Sequence, residues 1–319
     1  MADTIRAARL HRHGDPLVVE AVPLPTPEPG EVRVQLAYAG VNPVDRYGAA
    51  GRVAADGPLP RTLGTEAAGT VDGRPVVVHG HGLGTTRDGL WATAAVVPKA
   101  ALVAVPDGVG LDQAAAMGVA GVTAWRTAVE LAQVGAEDRV LVLGASGGVG
   151  SMLVSICHHA GATVVGQTGD PAKAPWVRAR GADEVVTGNA EAVAATIRRL
   201  APTVVFDALG DGFTGMAVDA MARRGRLVLF GTSAGASGEV PLQPLYRKGL
   251  TVLGYGGLIE PEDRLGAGIA AALDALARGV LQVEIGERVP LEDINRGLQR
   301  QAERRVLGKL VVDLAPTVG

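Results

Sequence analysis

The sequence predicts an α/β protein in which a doubly wound parallel sheet is joined to a separate β-rich region, and three observations predict it. The apolar run 140–143 leads into a glycine-rich turn that ends at Gly150. After that turn, short apolar runs alternate with helical patterns, which is typical of strands joined by helical crossovers. Before it, short strand patterns are separated by proline and glycine, which is typical of an all-β region.

Composition sets the broad class of the protein. The chain has 319 residues, enough for two domains that each bury a core of their own. Hydrophobic residues make up 47% and charged residues 20%, which is typical of a globular protein rather than a disordered one. Because the formal net charge is only −3, we expect neither nucleic acid nor an anionic membrane to be a partner.

The single cysteine, Cys157, indicates the compartment. One thiol can form neither an intramolecular disulfide nor a thiolate zinc site, so a reducing cytoplasm is the expected location. No apolar run reaches the length of a membrane span, and the sequence does not start with a basic leader followed by an apolar core. We therefore expect a cytoplasmic protein.

The N-terminal region is predicted to be all-β. Apolar or alternating runs are bounded there by proline and glycine, and such strands favour a barrel-like core. The predicted strands are 5–10, 17–22, 32–39, 74–79 and 92–97. The C-terminal segment is too short to be a domain alone, so we expect it to fold back onto this region. Its predicted elements are a helix 263–278, a strand 283–289, a helix 291–303 and a strand 308–314.

The middle of the chain is predicted to form the parallel sheet. Gly161 and Gly181 follow two helical patterns, at the position where a left-handed residue commonly ends a helix. Six strands with helical crossovers amount to a complete doubly wound sheet. The predicted strands are 140–143, 163–166, 184–186, 204–207, 227–230 and 250–253. The predicted helices between them are 149–160, 171–180, 191–200 and 215–223.

The glycine-rich turn after the first of these strands is predicted to bind a pyrophosphate. It reads A-x-G-x-x-G, with Ala145 in place of the first glycine of the dinucleotide fingerprint. Gly147 allows the backbone to approach the phosphates, and Gly150 allows the helix to pack closely on the strand. The exposed N–H groups of the helix N-terminus then face the anion. The predicted contacts are Ala145, Ser146, Gly147, Gly148, Val149 and Gly150.

The end of the second strand predicts which nicotinamide cofactor binds. An acidic side chain there would bind the ribose 2′-hydroxyl of NADH, but Gly166, Gln167 and Thr168 carry no charge. Lys173 follows within reach of a 2′-phosphate, so we expect NADPH. Two alternatives remain at this point: Asp170 could stand nearer the ribose, and Lys173 could be a solvated residue of the next helix.

Several further stretches resemble one protein family along the whole chain. They are 39–47, 63–69, 114–118, 122–125, 144–150 and 306–312. With these motifs the chain resembles the zinc-free medium-chain dehydrogenases/reductases of the quinone oxidoreductase, or zeta-crystallin, type. The resemblance implies a GroES-like β-barrel catalytic domain, residues 1–117 and 256–319, with a Rossmann NADPH-binding domain, 118–255, inserted into it. It also implies a cofactor in the cleft between the two domains.

The resemblance also explains the lack of metal ligands. Zinc-dependent relatives have a cysteine and a histidine where this chain has Asn42 and Thr65, so we expect no metal. The pairs His79 with His81 and His11 with His13 could in principle hold a metal, but we interpret them as strand or loop histidines.

A site without a metal suits hydride delivery to a conjugated acceptor, whose oxygen needs only a hydrogen-bond donor. The resemblance implies that this motif lines the substrate side of the cleft, and its candidate catalytic residues are Asn42, Tyr47 and Asp45. Asn42 and Tyr47 offer donors to the acceptor oxygen, while Asp45 could orient either one or the backbone around them. The alternative is that Asn42 and Asp45 only shape the turn at Pro43 and that Tyr47 only packs at the domain edge. Enoyl-thioester reductases of the superfamily often carry a second tyrosine just after this motif, and the stretch 51–55 has none.

Other cofactor contacts are implied by the resemblance or by their position at the ends of predicted strands, where ligands of open α/β sheets bind. These are Thr123, Gln167, Thr168, Lys173, Leu209, Phe230, Gly231, Thr232 and Lys309. Asp207, at the end of the fourth strand, could equally cap the following helix.

The function predicted from the sequence is reduction of a small-molecule quinone or enone by NADPH. One alternative is an enoyl-thioester or polyketide-pathway enoyl reductase. Another is an NADPH-binding protein with a structural or sensing role. The apolar edge strand 250–253 also predicts a homodimer, because an edge strand can pair with its copy across a two-fold axis.

Overall fold

The computed structural model describes residues 4–315. Its strands are β1 Thr4–Leu10, β2 Val18–Pro23, β3 Glu31–Val41, β4 Arg61–Thr62, β5 Glu66–Val71, β6 Arg74–His79, β7 Ala94–Pro98, β8 Leu102–Ala104, β9 Arg139–Leu143, β10 Thr163–Thr168, β11 Glu184–Thr187, β12 Val204–Asp207, β13 Arg226–Leu229, β14 Thr251–Gly254, β15 Ile285–Pro290 and β16 Lys309–Asp313. Its α-helices are α1 Pro43–Ala49, α2 Leu111–Ala114, α3 Val122–Trp125, α4 Gly148–His159, α5 Ala174–Arg178, α6 Ala190–Leu200, α7 Gly212–Ala220, α8 Leu242–Lys248, α9 Glu262–Ala277 and α10 Ile294–Ala302. Within residues 4–315, no helix is both long and apolar enough to cross a membrane.

The described residues form two compact units. Unit 1 contains the residues up to 122, the segment 260–277 and the residues from 283 onward, and unit 2 contains 123–259 and 278–282. Both boundaries lie further along the chain than the predicted ones at 117/118 and 255/256. Residues 117–121 belong to unit 1 because the Val119 amide donates to the Glu66 carboxylate on β5. Residues 278–282 belong to unit 2, where the Gln282 amide donates to the Ser155 hydroxyl on α4.

Unit 2 contains the doubly wound parallel sheet that the sequence predicts. Its strand order is β11-β10-β9-β12-β13-β14, and every neighbouring pair is parallel. All six predicted strands are present, which confirms the predicted fold class. Buried side chains such as Leu141, Val205 and Leu227 form the core against the helices, as expected of parallel strands covered on both faces.

Unit 1 contains the GroES-like β region. Its larger sheet has the order β15-β16-β3-β5-β6-β8, with β7 also paired to β3, and the smaller sheet is β2-β1-β4. The C-terminal strand β16 pairs antiparallel with β3 and parallel with β15, so the C-terminal segment does fold back onto the N-terminal region. The core is built around fully buried side chains such as Leu36, Leu63 and Trp91.

Some elements of unit 1 are absent from the sequence prediction. The strand β5 was not predicted, because alanine, glycine and a glutamate dominate it rather than β-branched residues. The helix α1 was not predicted either, since Asn42 and Pro43 are equally typical of a turn. Pro43 at its first position and Asp45 in its first turn are nevertheless common helix-start residues. In unit 2 the short helix α8 was likewise missed.

Candidate functional site

The glycine-rich turn of unit 2 forms a cradle between β9 and α4. Gly144 has a left-handed backbone, with φ of 76°, and turns the chain away from the strand. Gly147 is the residue before the first turn of α4, and no side chain caps that helix end. The first N–H groups of α4 therefore remain available as donors, together with the positive end of the helix. Residues 146–149 are partly exposed, while Ala145 and Gly150 on either side are buried.

The glycines of the cradle have different spatial roles. A Cβ at Gly150 would lie 2.3 Å from the Gly144 carbonyl oxygen and 2.9 Å from the Ala145 Cα, so only glycine fits. A Cβ at Gly147 would meet nothing closer than the Gly144 oxygen, at 3.4 Å. Gly147 therefore has room on one side for a ligand, as a phosphate cradle needs. The residues present fit a dinucleotide pyrophosphate.

Ala145 replaces a fingerprint glycine without strain. Its side chain is buried beside Gly166 on β10, where an added Cβ would lie 3.0 Å from the Ala145 Cβ. The methyl group of Ala145 thus fills the space that Gly166 leaves open. The Ala145 amide donates to the Gln167 carbonyl at 2.8 Å, which ties the turn to the neighbouring strand.

Two predicted contacts at the end of β10 have partners within unit 2. The Gln167 side chain accepts from the Gly144 amide at 3.1 Å and donates to the Gly188 carbonyl at 2.7 Å. The Thr168 hydroxyl lies 3.1 Å from the Ser146 hydroxyl. Both side chains are buried. In the structure they hold the cradle against two strands, and any contact they make with a cofactor stays a prediction.

Lys173 and Asp170 lie just beyond β10, around a short 3₁₀ turn, Pro171–Lys173. The Asp170 carboxylate accepts from the Ala172 amide at 2.9 Å and so caps this turn. Lys173 is half-buried, and burial lowers the pKa of its ammonium while the charge of Asp170 opposes the shift. Asp170 therefore caps a local turn. A role of Lys173 in the choice between NADPH and NADH stays a prediction.

The remaining predicted contacts of unit 2 follow other strands of the same sheet. Leu209 follows β12, and Phe230, Gly231 and Thr232 follow β13, so they share with the cradle the carboxyl edge where open sheets bind ligands. Thr123 is buried at the start of unit 2, and its carbonyl accepts from the Thr127 hydroxyl at 2.6 Å.

Asp207, the last residue of β12, has a structural role. Its carboxylate accepts from the amides of Leu209 and Gly210 and from the Thr214 hydroxyl, at 2.7–3.0 Å. Because Thr214 lies in α7, the carboxylate joins the strand end to the helix that follows. The two amides lie in the connection before α7, whose N-cap residue is Asp211, so Asp207 braces the strand end without capping the helix itself.

Unit 1 contains a buried polar cluster at one end of its larger sheet. Lys309 on β16, Glu66 on β5 and His79 on β6 lie there or next to it, and Asn42 directly follows β3. The pairing of Leu310 with Val41 puts Lys309 opposite Asn42, and Glu66 pairs directly with His79. We call Asn42, Glu66 and Lys309 the amide cluster.

The amide cluster is held by short contacts between charged and amide groups. The Lys309 ammonium lies 2.7 Å from the Asn42 Oδ1 and 2.8 Å from the Glu66 Oε1. The Asn42 Nδ2 donates to the same Glu66 oxygen at 2.6 Å. The other Glu66 oxygen accepts from the Val119 amide at 2.7 Å. The side chains of Glu66 and Lys309 are 0% and 3% exposed, so the ion pair is buried.

Two glycines make room for Glu66. A Cβ at Gly40 would lie 2.0 Å from the Glu66 Oε1 and 2.8 Å from the Ala115 carbonyl oxygen. A Cβ at Gly118 would lie 2.9 Å from the Glu66 Cβ and 3.1 Å from the His79 Cβ. The backbone around the amide cluster is therefore shaped to accept a buried carboxylate.

Asp45 connects the start of α1 to β5. Its carboxylate accepts from the Asn42 amide at 2.8 Å and from the amide and hydroxyl of Thr65 at 3.1 and 3.0 Å. Burial is the main cause that raises the pKa of Asp45 to about 7, and the charge of Glu66 adds to the shift, although these hydrogen bonds oppose it. Asp45 thus fixes the backbone of Asn42 at the start of α1, which fits both an orienting role and the alternative that the two residues only shape the turn at Pro43.

Tyr47 lies further along α1 and is half-buried. The guanidinium of Arg46 stands 5.1 Å from the centre of its ring. Among residues 4–315, no contact is found between the Tyr47 hydroxyl and the amide cluster. The proximity of Tyr47 to an acceptor stays a prediction.

His79 lies beside the amide cluster, where the sequence predicts only a strand histidine. Its Nδ1 lies 2.5 Å from the Thr65 carbonyl oxygen, which makes Nδ1 the protonated nitrogen of the neutral ring. Burial lowers the pKa of His79, although the neighbouring carboxylates oppose the shift. His81 is held separately, through its amide and ring, by Glu262.

The donor set at positions 42 and 65 does not fit a zinc ion. The Asn42 oxygen is taken by an ammonium, and the Thr65 hydroxyl donates to Asp45. A zinc site needs thiolate, imidazole or carboxylate ligands around one point, and here a lysine cation occupies that neighbourhood. Within the described part of the chain, no three His, Cys, Asp or Glu side chains are grouped as metal ligands would be.

The sequence alone does not predict that Glu66 belongs to the candidate site, or that Lys309 forms an ion pair with it. Glu66 lies within a motif that the sequence does single out, 63–69, and a glutamate among alanines and glycines of an apolar run is itself a signal of a buried charge. For Lys309 the resemblance implies a cofactor contact, which stays a prediction. In the structure its ammonium lies in unit 1 and contacts Glu66 and Asn42.

Comparisons with known families match both units. A family model described as an alcohol dehydrogenase GroES-like domain matches residues 28–107, and one described as a zinc-binding dehydrogenase matches residues 148–263. A quinone oxidoreductase of Pseudomonas aeruginosa is 30% identical over 315 residues, which cover 94% of this chain and 97% of that protein.

Solved structures give the same result. A quinone oxidoreductase of Pseudomonas syringae is 28% identical, with a TM-score of 0.85 and coverage of 97% of this chain and 99% of that one. A mycobacterial protein complexed with NADPH is 27% identical, with a TM-score of 0.85 and the same coverage. The similarity thus extends over nearly the full length of each protein.

Proposed function

Because this chain belongs to the medium-chain dehydrogenase/reductase superfamily and its quinone oxidoreductase family, we propose that it is an NADPH-dependent reductase of quinones or α,β-unsaturated carbonyl compounds that works without a metal. Family membership gives the coarser statement, an NAD(P)-dependent oxidoreductase with a nicotinamide cofactor and a small-molecule substrate. The choice of NADPH and of the acceptor is our proposal.

The cofactor side of the proposal rests on the cradle. The free N–H groups at the start of α4 and the open side of Gly147 would hold the pyrophosphate. Lys173 would pair with the 2′-phosphate, where Gln167 and Thr168 bring no carboxylate. When bound, the nicotinamide supplies the hydride. Thr123, Leu209 and 230–232 are proposed as further contacts.

The acceptor side rests on one observation, the amide cluster. Asn42 is a buried amide beside a lysine cation, at a position where zinc-dependent relatives carry a metal ligand. An amide N–H can stabilise the negative charge that develops on a carbonyl or quinone oxygen during hydride addition. We propose Asn42 and Tyr47 as the donors to that oxygen, with Asp45 as the residue that positions them.

Quinones are favoured over acyl thioesters as acceptors. Reduction of a quinone protonates only oxygen, whereas reduction of an enoyl thioester, like that of an enone, returns a proton to carbon. The stretch 51–55 offers no tyrosine for that second step. A reducing cytoplasm fits the proposed activity, and the thiol of Cys157 is buried, with its pKa raised by burial.

A steady-state assay tests this function. NADPH and NADH oxidation would be followed with 1,4-benzoquinone, with a simple enone and with an enoyl thioester. We expect turnover with NADPH and the quinone, and a loss of about 100-fold in kcat for Asn42→Ala, as found when one oxyanion donor is removed. Turnover with the thioester alone would favour the enoyl reductase, and NADPH binding without turnover would favour a structural or sensing role.

We also propose a homodimer formed through β14. This strand pairs only with β13 among the described residues, and Val252 on it is 44% exposed. Leu242 and Tyr246 on α8, and Leu258 and Ile259 after β14, are also exposed apolar side chains. An apolar edge strand of this kind can pair with its copy. Light scattering at micromolar concentration tests it: we expect a dimer mass for wild type and a monomer mass for Val252→Lys, and a monomeric wild type would contradict the proposal.

A further inference from the structure

The amide cluster fixes which way the Asn42 amide points. An ammonium can only donate hydrogen bonds, and an ionised carboxylate can only accept them. The Lys309 ammonium lies 2.7 Å from the Asn42 Oδ1, and the Glu66 Oε1 lies 2.6 Å from the Asn42 Nδ2. Rotating the amide by half a turn would bring two donors together on one side and two acceptors together on the other. Only one orientation of the amide is therefore compatible with its neighbours.

The cost of this arrangement indicates that it serves more than stability. Glu66 and Lys309 are both almost completely buried. Removing two charges from water costs several kcal/mol per ion in proteins, and replacing a buried ion pair by apolar residues is often neutral or stabilising. A buried pair is thus weak evidence for stability. It is better evidence for a requirement that apolar side chains cannot meet, such as holding a polar group in one orientation.

One hydrogen of the Asn42 amide is not used by the cluster. The Nδ2 group carries two hydrogens, and the contact to Glu66 takes one of them. The Lys309 ammonium on Oδ1 draws electron density from the amide and makes the remaining N–H a better donor. We infer that Glu66 and Lys309 are positioning residues for the reaction, which fix the Asn42 amide so that its second Nδ2–H binds the acceptor oxygen.

This inference rests on the proposed function and departs from the sequence prediction for Lys309. That prediction placed Lys309 on the cofactor, whereas here it acts through Asn42. The two roles lead to different measurements. A cofactor contact would change the affinity for NADPH, while a positioning residue would change kcat and leave that affinity unaltered.

The test is the double variant Glu66→Gln with Lys309→Met, which removes both charges together. Its matched control is Glu287→Gln with Arg300→Met, another ion pair of unit 1 that links β15 to α10. For each variant one would measure kcat and KM with 1,4-benzoquinone, the Kd for NADPH by fluorescence, thermal unfolding, and the Asn42 side-chain orientation in a crystal structure.

We expect the double variant to fold, to bind NADPH within about twofold of wild type and to lose about 10- to 100-fold in kcat, as misplacement of a reacting group commonly causes. The control should keep the kcat of wild type. A folded double variant with wild-type kcat would overturn the inference. So would a tenfold weaker Kd for NADPH with kcat unchanged at saturation.

A second measurement keeps the inference testable if the double variant does not fold. In wild-type protein labelled with ¹⁵N-asparagine, the Asn42 side-chain amide would be assigned by comparison with Asn42→Ser. Any primary amide shows two proton signals, because rotation about its C–N bond is slow. A fixed amide bound to a carboxylate should in addition have one proton shifted well downfield and protected from exchange with water, whereas the shifts and exchange of an exposed asparagine would overturn the inference. If wild type reduces no acceptor, the proposed function fails, while this spectrum still tests whether the amide is fixed.

Discussion

The cradle of unit 2 and the amide cluster of unit 1 are built in opposite ways. The cradle is contiguous in sequence, from Arg139 to Gly150. It offers backbone N–H groups and the space beside glycines, which have no side chain. The amide cluster joins Asn42, Glu66 and Lys309, which are far apart in sequence, and works through charged and amide side chains in a buried setting. The first is therefore robust to most side-chain changes. The second depends on each member.

The largest difference in stability should come from breaking the buried ion pair. Lys309→Met leaves the Glu66 carboxylate buried without its cation. We expect the free energy of unfolding to fall by about 3–5 kcal/mol, since an uncompensated buried charge is costly. In contrast, Arg300→Met breaks a more exposed pair with Glu287 and should cost about 1 kcal/mol or less. Urea unfolding of both variants measures the difference, and equal losses would contradict the importance of burial.

The pH dependence of stability should report on the surroundings of the amide cluster, where Asp45 and His79 lie. Burial raises the folded pKa of Asp45 to about 7, above its unfolded value, so its contribution is fully present below about pH 4 and is lost as the pH rises through 7. At about 1.4 kcal/mol per pKa unit, the rise from 3.8 to about 7 amounts to roughly 4 kcal/mol. Burial lowers the pKa of His79. The contribution of His79 to stability therefore rises as the pH increases from its pKa in the folded protein to about 6.5.

The free energy of unfolding would be measured for wild type and for Asp45→Asn in the same buffers, from pH 4 to 8. Because both proteins keep His79, their difference isolates Asp45. We expect the stability advantage of wild type to shrink as the pH rises. A constant difference between the two unfolding free energies would show that Asp45 does not titrate in this range.

The sequence alone predicted most of the fold and the cradle because both are encoded locally. A strand, a glycine turn and a helix start follow each other directly around Gly150, and the six strands of the parallel sheet are apolar runs with clear turn signals. The amide cluster could not be assembled in this way. Lys309 meets Asn42 only because β16 pairs with β3, and the sequence contains no signal for that register.

The contacts of Asp45 show how far a motif can be interpreted. The motif around Asn42 predicted that Asp45 orients its neighbours, and the structure places its carboxylate on the Asn42 and Thr65 amides. The motif did not predict that Glu66 would reach the same asparagine from the next strand, because a side-chain contact across a sheet depends on register and burial together.

Within the cradle, two glycine substitutions should have different effects. Gly150→Ala places a methyl group 2.3 Å from a backbone oxygen, so we expect a loss of about 1–3 kcal/mol in stability together with weaker cofactor binding. Gly147→Ala meets no atom closer than 3.4 Å and should leave stability nearly unchanged, while the affinity for NADPH falls about tenfold. Unfolding curves and NADPH titrations distinguish the two, and full affinity in Gly147→Ala would contradict the cradle assignment.

The smallest expected effect concerns the choice between cofactors. Lys173→Met should raise the KM for NADPH by about fivefold to tenfold and leave that for NADH unchanged, because a partly exposed charge pair contributes about 1 kcal/mol. Asp170→Asn serves as the control, since its carboxylate caps a turn. Equal changes for both cofactors in Lys173→Met would place the lysine away from the 2′-phosphate.

The central claim is that the polar group beside the buried ion pair, Asn42, serves hydride transfer from NADPH to a conjugated acceptor. The most direct measurement is single-turnover oxidation of bound NADPH by 1,4-benzoquinone in wild type and in Asn42→Ala. We expect rapid oxidation in wild type and a rate about 100-fold lower in the variant, with the Kd for NADPH unchanged. Equal oxidation rates in the two proteins would contradict it.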